Sequence, residues 1–460
     1  MRIQLIQPRH IYAPHSSIKK MGHVYMPTSL ISIASVLNQL NLEVDIVDEN
    51  LNLDYDLQNI VGINLLGAPY IPVVKDFESR LEKKFGNDYT LFIGGQIVNG
   101  FTNIEFNKLF GVNTYNGNDY NILFNYFKKG IPLKTENNLS FVPIYKKIND
   151  TDLRLYLENE FSIYLSQGCK YACTFCSAVR TKRVSGVKIF QKEVYRNINL
   201  VIQDLKYLIE KADIFGIKHL KIYLSNLDLF QTPNKLRELI TEIENLTKPE
   251  GFRLDFRGLA TVASFLSLYK NDIELLKRFK HAGLTRVGYG IDGATAEVYR
   301  KINKPQNSQM CLDAIRLTHE LGITPETLMV FGHNNKENEE SLRKAYEFSK
   351  DMYYKYGSCP RPHISKDIVP GNDGWADPKN SDIIKAFYSD IQLFQNLDFT
   401  ALPSEFTHPN EGFRKMVSKY FVEICNLPGS LTQYVKPYNQ NESDAKKKER
   451  QKFNEGRYDL

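Results

Sequence analysis

Short apolar runs alternate with amphipathic stretches twice along this chain, over residues 1–130 and again over 161–370, and this limits its fold most strongly. In the first series the strand candidates are Arg2–Gln7, Glu43–Asp48, Ile60–Leu66, Thr90–Ile93 and Val112–Tyr115. Helices are expected between them, over Thr28–Leu40 with Pro27 at its start, Ile71–Phe85, Asn103–Phe110 and Tyr120–Lys128. Parallel strands need a crossover, normally a helix, so this alternation implies a parallel sheet covered on both faces. The expected unit is a doubly wound, Rossmann-like domain of five strands, with ligands at the carboxyl ends of the strands. Those ends are Gln7–His23, Leu66–Pro72 and Gly94–Gly100.

The second series has strand candidates at Phe161–Ser166, Leu220–Ser225, Phe252–Gly258, Arg286–Ile291, Glu326–Phe331 and His363–Val369. Val194, Ile198, Val201, Leu205, Leu208, Ala212 and Phe215 recur at helical spacing and mark one continuous face between the first two strands. Six strand–helix units predict a partial (βα)6 barrel of the TIM type, whose function gathers in the loops after the strands. The α/β organisation therefore reads as a doubly wound domain over 1–130, a linker with little regular structure over 131–160, and a barrel over 161–370. A mostly helical extension over 371–438 and a charged, partly disordered tail over 439–460 complete it.

The charge balance is mild, 59 basic against 53 acidic residues, and argues against nucleic acid as the partner. No apolar run is long enough to span a bilayer. The opening apolar stretch is too short for a secretory signal, so a cytoplasmic, reducing location is expected and the six cysteines are not read as disulfides. Three of them stand together in Ser166-Gln-Gly-Cys169-Lys-Tyr-Ala-Cys173-Thr-Phe-Cys176, directly after the first barrel strand. Thiolates at this spacing favour an iron–sulfur cluster or zinc. A structural zinc site needs four ligands, commonly two separated pairs, and Cys173 with Cys176 is the one CxxC present. Cys311, Cys359 and Cys425 stand apart and read as core thiols. The economical reading is a cluster with three protein ligands and one open iron; incidental thiols are the alternative.

Here the sequence resembles the radical S-adenosylmethionine superfamily. Cys169, Cys173 and Cys176 match its CxxxCxxC signature, with Phe175 as the usual aromatic before the last cysteine, and the six-unit barrel fits its partial TIM barrel. The resemblance implies a [4Fe–4S] cluster on the three cysteines, S-adenosylmethionine chelated to the open iron, and reductive cleavage to a 5′-deoxyadenosyl radical that takes a hydrogen atom from substrate. An electron donor of flavodoxin or ferredoxin type is implied as partner. By their places at strand ends, Phe175, Asn226, Asp228, Arg257, Gly290, Ile291 and Asp292 are the candidates for holding S-adenosylmethionine. For Asn226 and Asp228 a turn or helix-cap role is an equal alternative, and for Arg257 a plain ion pair is. Gly288, Gly290 and Gly293 spell GxGxxG, but in the fourth barrel unit rather than a first βα turn, so a dinucleotide site is not expected. Arg180–Lys192 holds five basic residues and no acid, and His10, His15 and His23 lie in the first loop; a solvated role is expected for both groups.

A doubly wound domain ahead of such a barrel resembles the superfamily's cobalamin-binding-domain group. Gln7, Pro8, Gly67, Gly94 and Gly95 are the corresponding candidates for cobalamin. The D-x-H-x-x-G motif that supplies a cobalt-binding histidine in several cobalamin proteins is absent. The implied activity is cobalamin-dependent methyl transfer to an unactivated carbon. Two alternatives stay open: a radical enzyme without cobalamin whose front domain binds substrate, carrying out ring formation, rearrangement or oxidation, and a non-catalytic metal-binding regulator. The substrate class is not legible.

Overall fold

The computed structural model describes residues 2–10, 25–128, 135–171, 173–176, 180–184, 187–190 and 193–456. Strands β1 (Arg2–Gln7), β2 (Glu43–Asp48), β3 (Ile60–Asn64), β4 (Thr90–Gly94) and β5 (Thr114–Asn116) form one parallel sheet in the order β2-β1-β3-β4-β5. The strand order switches direction at β1, which opens a crevice beyond the carboxyl ends of β1 and β3. β5 starts two residues later than the pattern predicts. The buried Glu78 carboxylate explains the shift, since its Oε1 accepts from the Gly111 amide (2.8 Å) and the Thr114 hydroxyl (2.7 Å), which leaves Val112 outside.

Both faces of this sheet are buried, against different parts of the chain. Ile3, Leu5, Val44 and Phe92 share a core with the helix Thr28–Asn38 and the barrel. Ile6, Val61, Ile63, Leu91 and Ile93 face a second core with the helix Ile71–Phe85 and, from the C-terminal region, Trp375, Phe387 and Phe394. Trp375 Nε1 donates to Glu105 Oε1 at 2.9 Å, fixing that region to the front helix Asn103–Leu109.

The barrel strands are β6 (Glu160–Tyr164), β7 (His219–Ser225), β8 (Arg253–Ala260), β9 (Leu284–Gly290), β10 (Thr324–Leu328) and β11 (Cys359–Pro360). They pair in parallel in sequence order, and β6 and β11 are the two edges, so the barrel is partial. The sixth strand differs from expectation. Its pairing with β10 is confined to Cys359–Pro360, and His363–Ile364 pairs instead with Val330–Phe331. Pro362, which has no N–H to donate, separates the two.

Two irregular segments carry more structure than their polarity predicts. Residues 131–160 contain the helices Val142–Tyr145 and Asp150–Glu158, the second capped by Asn149 and burying Leu153, Tyr156 and Leu157. The tail contains the helix Asp444–Gly456, tied down by Arg450–Glu442 (3.0 Å) and by Asn454, whose Oδ1 accepts from the Lys436 amide (2.8 Å). The polarity of both segments masked these three helices.

One ion pair is wholly internal. Arg196 and Asp204, both 0% exposed, pair at 2.6 Å. The guanidinium also donates to Leu139 O (3.0 Å) and lies 3.6 Å from the Phe141 ring centroid, so it joins the segment before the barrel to the helix Ile198–Ile214.

Candidate active site

The cysteine loop leaves the barrel just past β6, where Gly168 takes φ +93° and turns the chain. It is held to its neighbours by backbone: the Lys170 amide donates to Gln231 Oε1 (2.7 Å), and the Thr174 amide donates to Ile302 O (3.0 Å). Cys169, Cys173 and Cys176 line one cavity of about 130 Å³ together with Tyr171, Leu227, Thr261 and Lys304. Among the described residues no three cysteine, histidine or acidic side chains converge as ligands of a single metal ion. The three thiols share the lining of this one cavity. Burial pushes the Cys169 thiol up to about 11 and Cys173 to about 12, so binding metal here would release protons.

Lys304 was not singled out by any motif. Its ammonium reaches the same cavity, pairs with the Asp292 carboxylate and donates to Gly290 O (2.6 Å). Burial works against its charge, and Asp292 and Cys173 more than offset that, so it is held above the ordinary lysine value. A Cβ on Gly290 would stand 2.6 Å from Lys304 Nζ, which is why a glycine fits there. Gln306 Nε2 donates to Ile291 O (2.8 Å) and Gly290 O (3.2 Å), so the Gly290–Asp292 segment is clamped from the loop that carries Lys304. The GxGxxG glycines thus serve close packing: a Cβ on Gly288 would meet Leu259, and one on Gly293 would meet Val298.

The other candidates divide. Phe175 packs its ring 5.3 Å from His333. Asn226 closes its own turn, with its amide nitrogen donating to Leu224 O (3.0 Å) and its oxygen accepting from the Leu229 amide (2.9 Å), although it also lines the larger cavity described below. Asp228 is fully buried and accepts from the Thr261 hydroxyl (2.9 Å) and amide (3.2 Å) and from the Ser264 hydroxyl, so it joins the β7 end to the helix Val262–Asn271. Both residues thus make the turn contacts expected as one of their two roles. Arg257 requires a correction. β8 runs on to Ala260, which leaves Arg257 inside the barrel below the strand ends. There it pairs with Glu326 (2.6 and 3.0 Å) and Glu160 (2.9 Å) and lies 4.9 Å from the Tyr223 ring, so its charge is already spent. Cys311 is a core thiol, 3.4 Å from Tyr299 Oη, whereas Cys359 and Cys425 are only partly buried.

A second, larger cavity of about 610 Å³ lies between the front sheet and the barrel. One wall is the sheet face and its helix, with Ile3, Leu5, Phe92, Leu30 and Ile33. Its rim is Asn64, Gly94, Gly95, Gln96 and Asn118 at the carboxyl ends of β3 to β5, and the opposite wall is Tyr164, Ser166, Gln167, Tyr223 and Ser225 from β6 and β7. Leu227 lines both cavities. Among the described residues that line the larger one there is no acid, base or histidine. Of the residues expected there, Gly94 and Gly95 are in the wall, while Gln7, Pro8 and Gly67 are not. Gln7 acts one step back, accepting from Asn64 Nδ2 at 3.0 Å, and Pro8 O accepts from Asn50. Gly95 has φ +120°, and a Cβ there would stand 2.4 Å from Leu65 O, so the rim can only be glycine. His10 packs against Tyr70, outside this wall; His15 and His23 lie outside the described residues. Within the basic run, Arg180–Val184 and Val187–Phe190 form an antiparallel hairpin, whose first strand lies against the turn Gln96–Gly100; Lys192 lies outside the described residues.

The model for the Radical SAM superfamily matches residues 163–348, which spans the cysteine loop and the strands around it. Residues 163–348 thus carry a radical S-adenosylmethionine domain. Two solved structures share this chain's fold. The cobalamin-dependent S-adenosylmethionine radical enzyme OxsB, with aqua-cobalamin and S-adenosylmethionine bound, aligns with a TM-score of 0.58 at 13% identity over 87% of this chain and 56% of that one. The radical S-adenosylmethionine methyltransferase TsrM from Kitasatospora setae, with cobalamin and a [4Fe-4S] cluster bound, aligns with a TM-score of 0.57 at 15% identity over 81% of this chain and 76% of that one. Among curated proteins, the chain is 22% identical over 229 residues to cytidylyl-2-hydroxyethylphosphonate methyltransferase of Streptomyces wedmorensis, 48% of this chain and 39% of that protein. It is 24% identical over 186 residues to anaerobic magnesium-protoporphyrin IX monomethyl ester cyclase of Rubrivivax gelatinosus, 40% of this chain and 30% of that protein. The match thus spans well under half of each curated relative. A radical S-adenosylmethionine domain implies a [4Fe–4S] cluster and S-adenosylmethionine, with a substrate and a reductant. Among the described residues no helix is long and apolar enough to cross a membrane.

Proposed function

We propose that this chain is a cobalamin-dependent radical S-adenosylmethionine methyltransferase acting on an unactivated carbon. Cys169, Cys173 and Cys176 would hold the [4Fe–4S] cluster, which when bound supplies the electron for reductive cleavage of S-adenosylmethionine. Lys304, paired with Asp292 beside the cysteines, lines the same cavity and could share its ammonium with the cofactor's carboxylate, and Gln306, which clamps the Gly290–Asp292 segment, is in the same wall. Lys304→Met is expected to weaken S-adenosylmethionine binding by roughly tenfold, the loss of one charge-assisted contact, in equilibrium dialysis of the reconstituted protein.

The observation that carries the cobalamin part is the neutral cavity between the domains. Its glycine rim admits close backbone approach, and its side chains are hydroxyls, amides and hydrocarbon. Among the described residues, that lining of amides and hydroxyls suits the amide-edged rim of a corrin macrocycle. Leu227 lines both cavities, so the two adjoin at the end of β7.

The test is anaerobic reconstitution with iron, sulfide and cobalamin, followed by desalting and an absorption spectrum. One retained corrinoid per chain is expected, and Gly95→Val, whose Cβ would collide with Leu65 O and shift the rim backbone, is expected to lose it with the iron content unchanged. Wild-type protein that keeps its iron but no corrinoid would transfer the case to a radical enzyme whose front domain binds substrate directly. Protein that binds iron but never forms 5′-deoxyadenosine would be the regulator.

A further inference from the structure

His333 is fully buried, yet it is not an inert core residue. Its Nε2 is 2.9 Å from Asp292 O, and since a carbonyl only accepts, the proton of that bond is on Nε2. Its ring packs 5.3 Å from Phe175, next to Cys176 in the cysteine loop. On the other side, Ser365 Oγ is 3.1 Å from Nδ1 and 2.9 Å from Asp367 Oδ1. The backbone behind the ring is locked as well: Glu337 Oε2 accepts from the amides of Gly332 (2.8 Å) and His333 (3.2 Å), and His408 Nε2 meets Gly332 O at 2.8 Å.

One imidazole therefore touches two segments that bear on the cysteine cavity: the loop that carries the thiols and the Gly290–Asp292 segment that anchors Lys304. Packing alone does not explain the residue. A leucine would fill the space against Phe175 without bringing a polar ring into the core, and a buried imidazole is tolerated only with both nitrogens bonded. What a leucine could not do is hold the Asp292 carbonyl. That residue already has φ +58°, a conformation that needs outside support, and its carboxylate is the partner of Lys304.

We propose that His333 is a positioning residue: held by the Ser365 hydroxyl, whose one proton is the donor Nδ1 needs, it fixes the Asp292 backbone and the Phe175 ring relative to one another and so positions the partner of Lys304 beside the bound cofactor. This rests on the reading of the cysteine cavity as the S-adenosylmethionine site. The contact is made with or without substrate, so the effect falls on cofactor binding.

The experiment uses reconstituted full-length protein, reduced anaerobically, with S-adenosylmethionine titrated against the cluster's electron paramagnetic resonance signal and the melting temperature recorded in parallel. His333→Ala is expected to raise the dissociation constant roughly tenfold, one hydrogen bond's worth in a desolvated site. His333→Gln, whose terminal amide can still donate to Asp292 O, is expected to recover most of that loss while melting like the alanine variant. Ser365→Ala, which keeps the imidazole but frees its ring, is expected to fall between, and it decides the matter should His333→Ala not fold. An unchanged dissociation constant in Ser365→Ala and His333→Ala, or equal weakening by Ala and Gln, overturns the proposal. A wild-type protein whose cluster does not respond to S-adenosylmethionine overturns the reading of the cavity instead, so the two failures are distinct.

Discussion

Cys173→Ala is expected to reduce 5′-deoxyadenosine formation to background and to lower the iron bound after anaerobic reconstitution. Cys173 lines the small cavity with Cys169 and Cys176, and Lys304 beside it favours its thiolate. With two thiols left, a four-iron group would lose one of its three protein attachments, and no other cysteine stands at the cavity to replace it among the described residues. Cys311→Ala is the matched control. That thiol is buried behind Tyr299 and is expected to affect stability slightly and iron content not at all. Product formation by Cys173→Ala at the wild-type rate would refute the assignment of the three cysteines.

The largest effect on stability is expected at the internal pair Arg196–Asp204. Asp204→Ala leaves the guanidinium buried with a carbonyl and an aromatic face but without a counter-charge, a change that costs about 3–5 kcal/mol. Against a typical total of about 5–15 kcal/mol this is a large share, and it should appear as a clear fall in the unfolding midpoint. The double replacement Arg196→Met with Asp204→Leu removes both charges and their desolvation cost, and should recover most of the loss. If Asp204→Ala melts with wild type, the pair is not isolated from water. Neither partner announces itself in sequence. They are eight residues apart across a strand-to-helix junction, and the guanidinium's remaining contacts, Leu139 and Phe141, come from a segment whose polarity reads as a linker.

Reading the chain residue by residue worked where the deciding chemistry is local. Apolar runs separated by amphipathic stretches are a property of neighbouring residues, so ten of the eleven strands of the two main sheets were legible to within a few residues, and with them the doubly wound sheet and the partial barrel. The cysteine motif was legible for the same reason, since its three thiols share one loop and their spacing alone brings them to a common cavity. Gly94 and Gly95 were found because a strand followed by glycines marks a ligand-binding rim.

The tertiary structure decided what depends on register and on partners remote in sequence. Arg257 looked available for a cofactor carboxylate until the barrel interior set Glu326 and Glu160 against it from strands on either side. Lys304 and His333 carried no motif, because a lysine in a loop and a histidine after a strand are unremarkable until folding brings them to Asp292 and the cysteine loop. Composition and periodicity report which face of an element is apolar. They do not report which polar groups meet once those faces are buried, because each such meeting is set by the relative position of two or more elements, and only the packed chain fixes that.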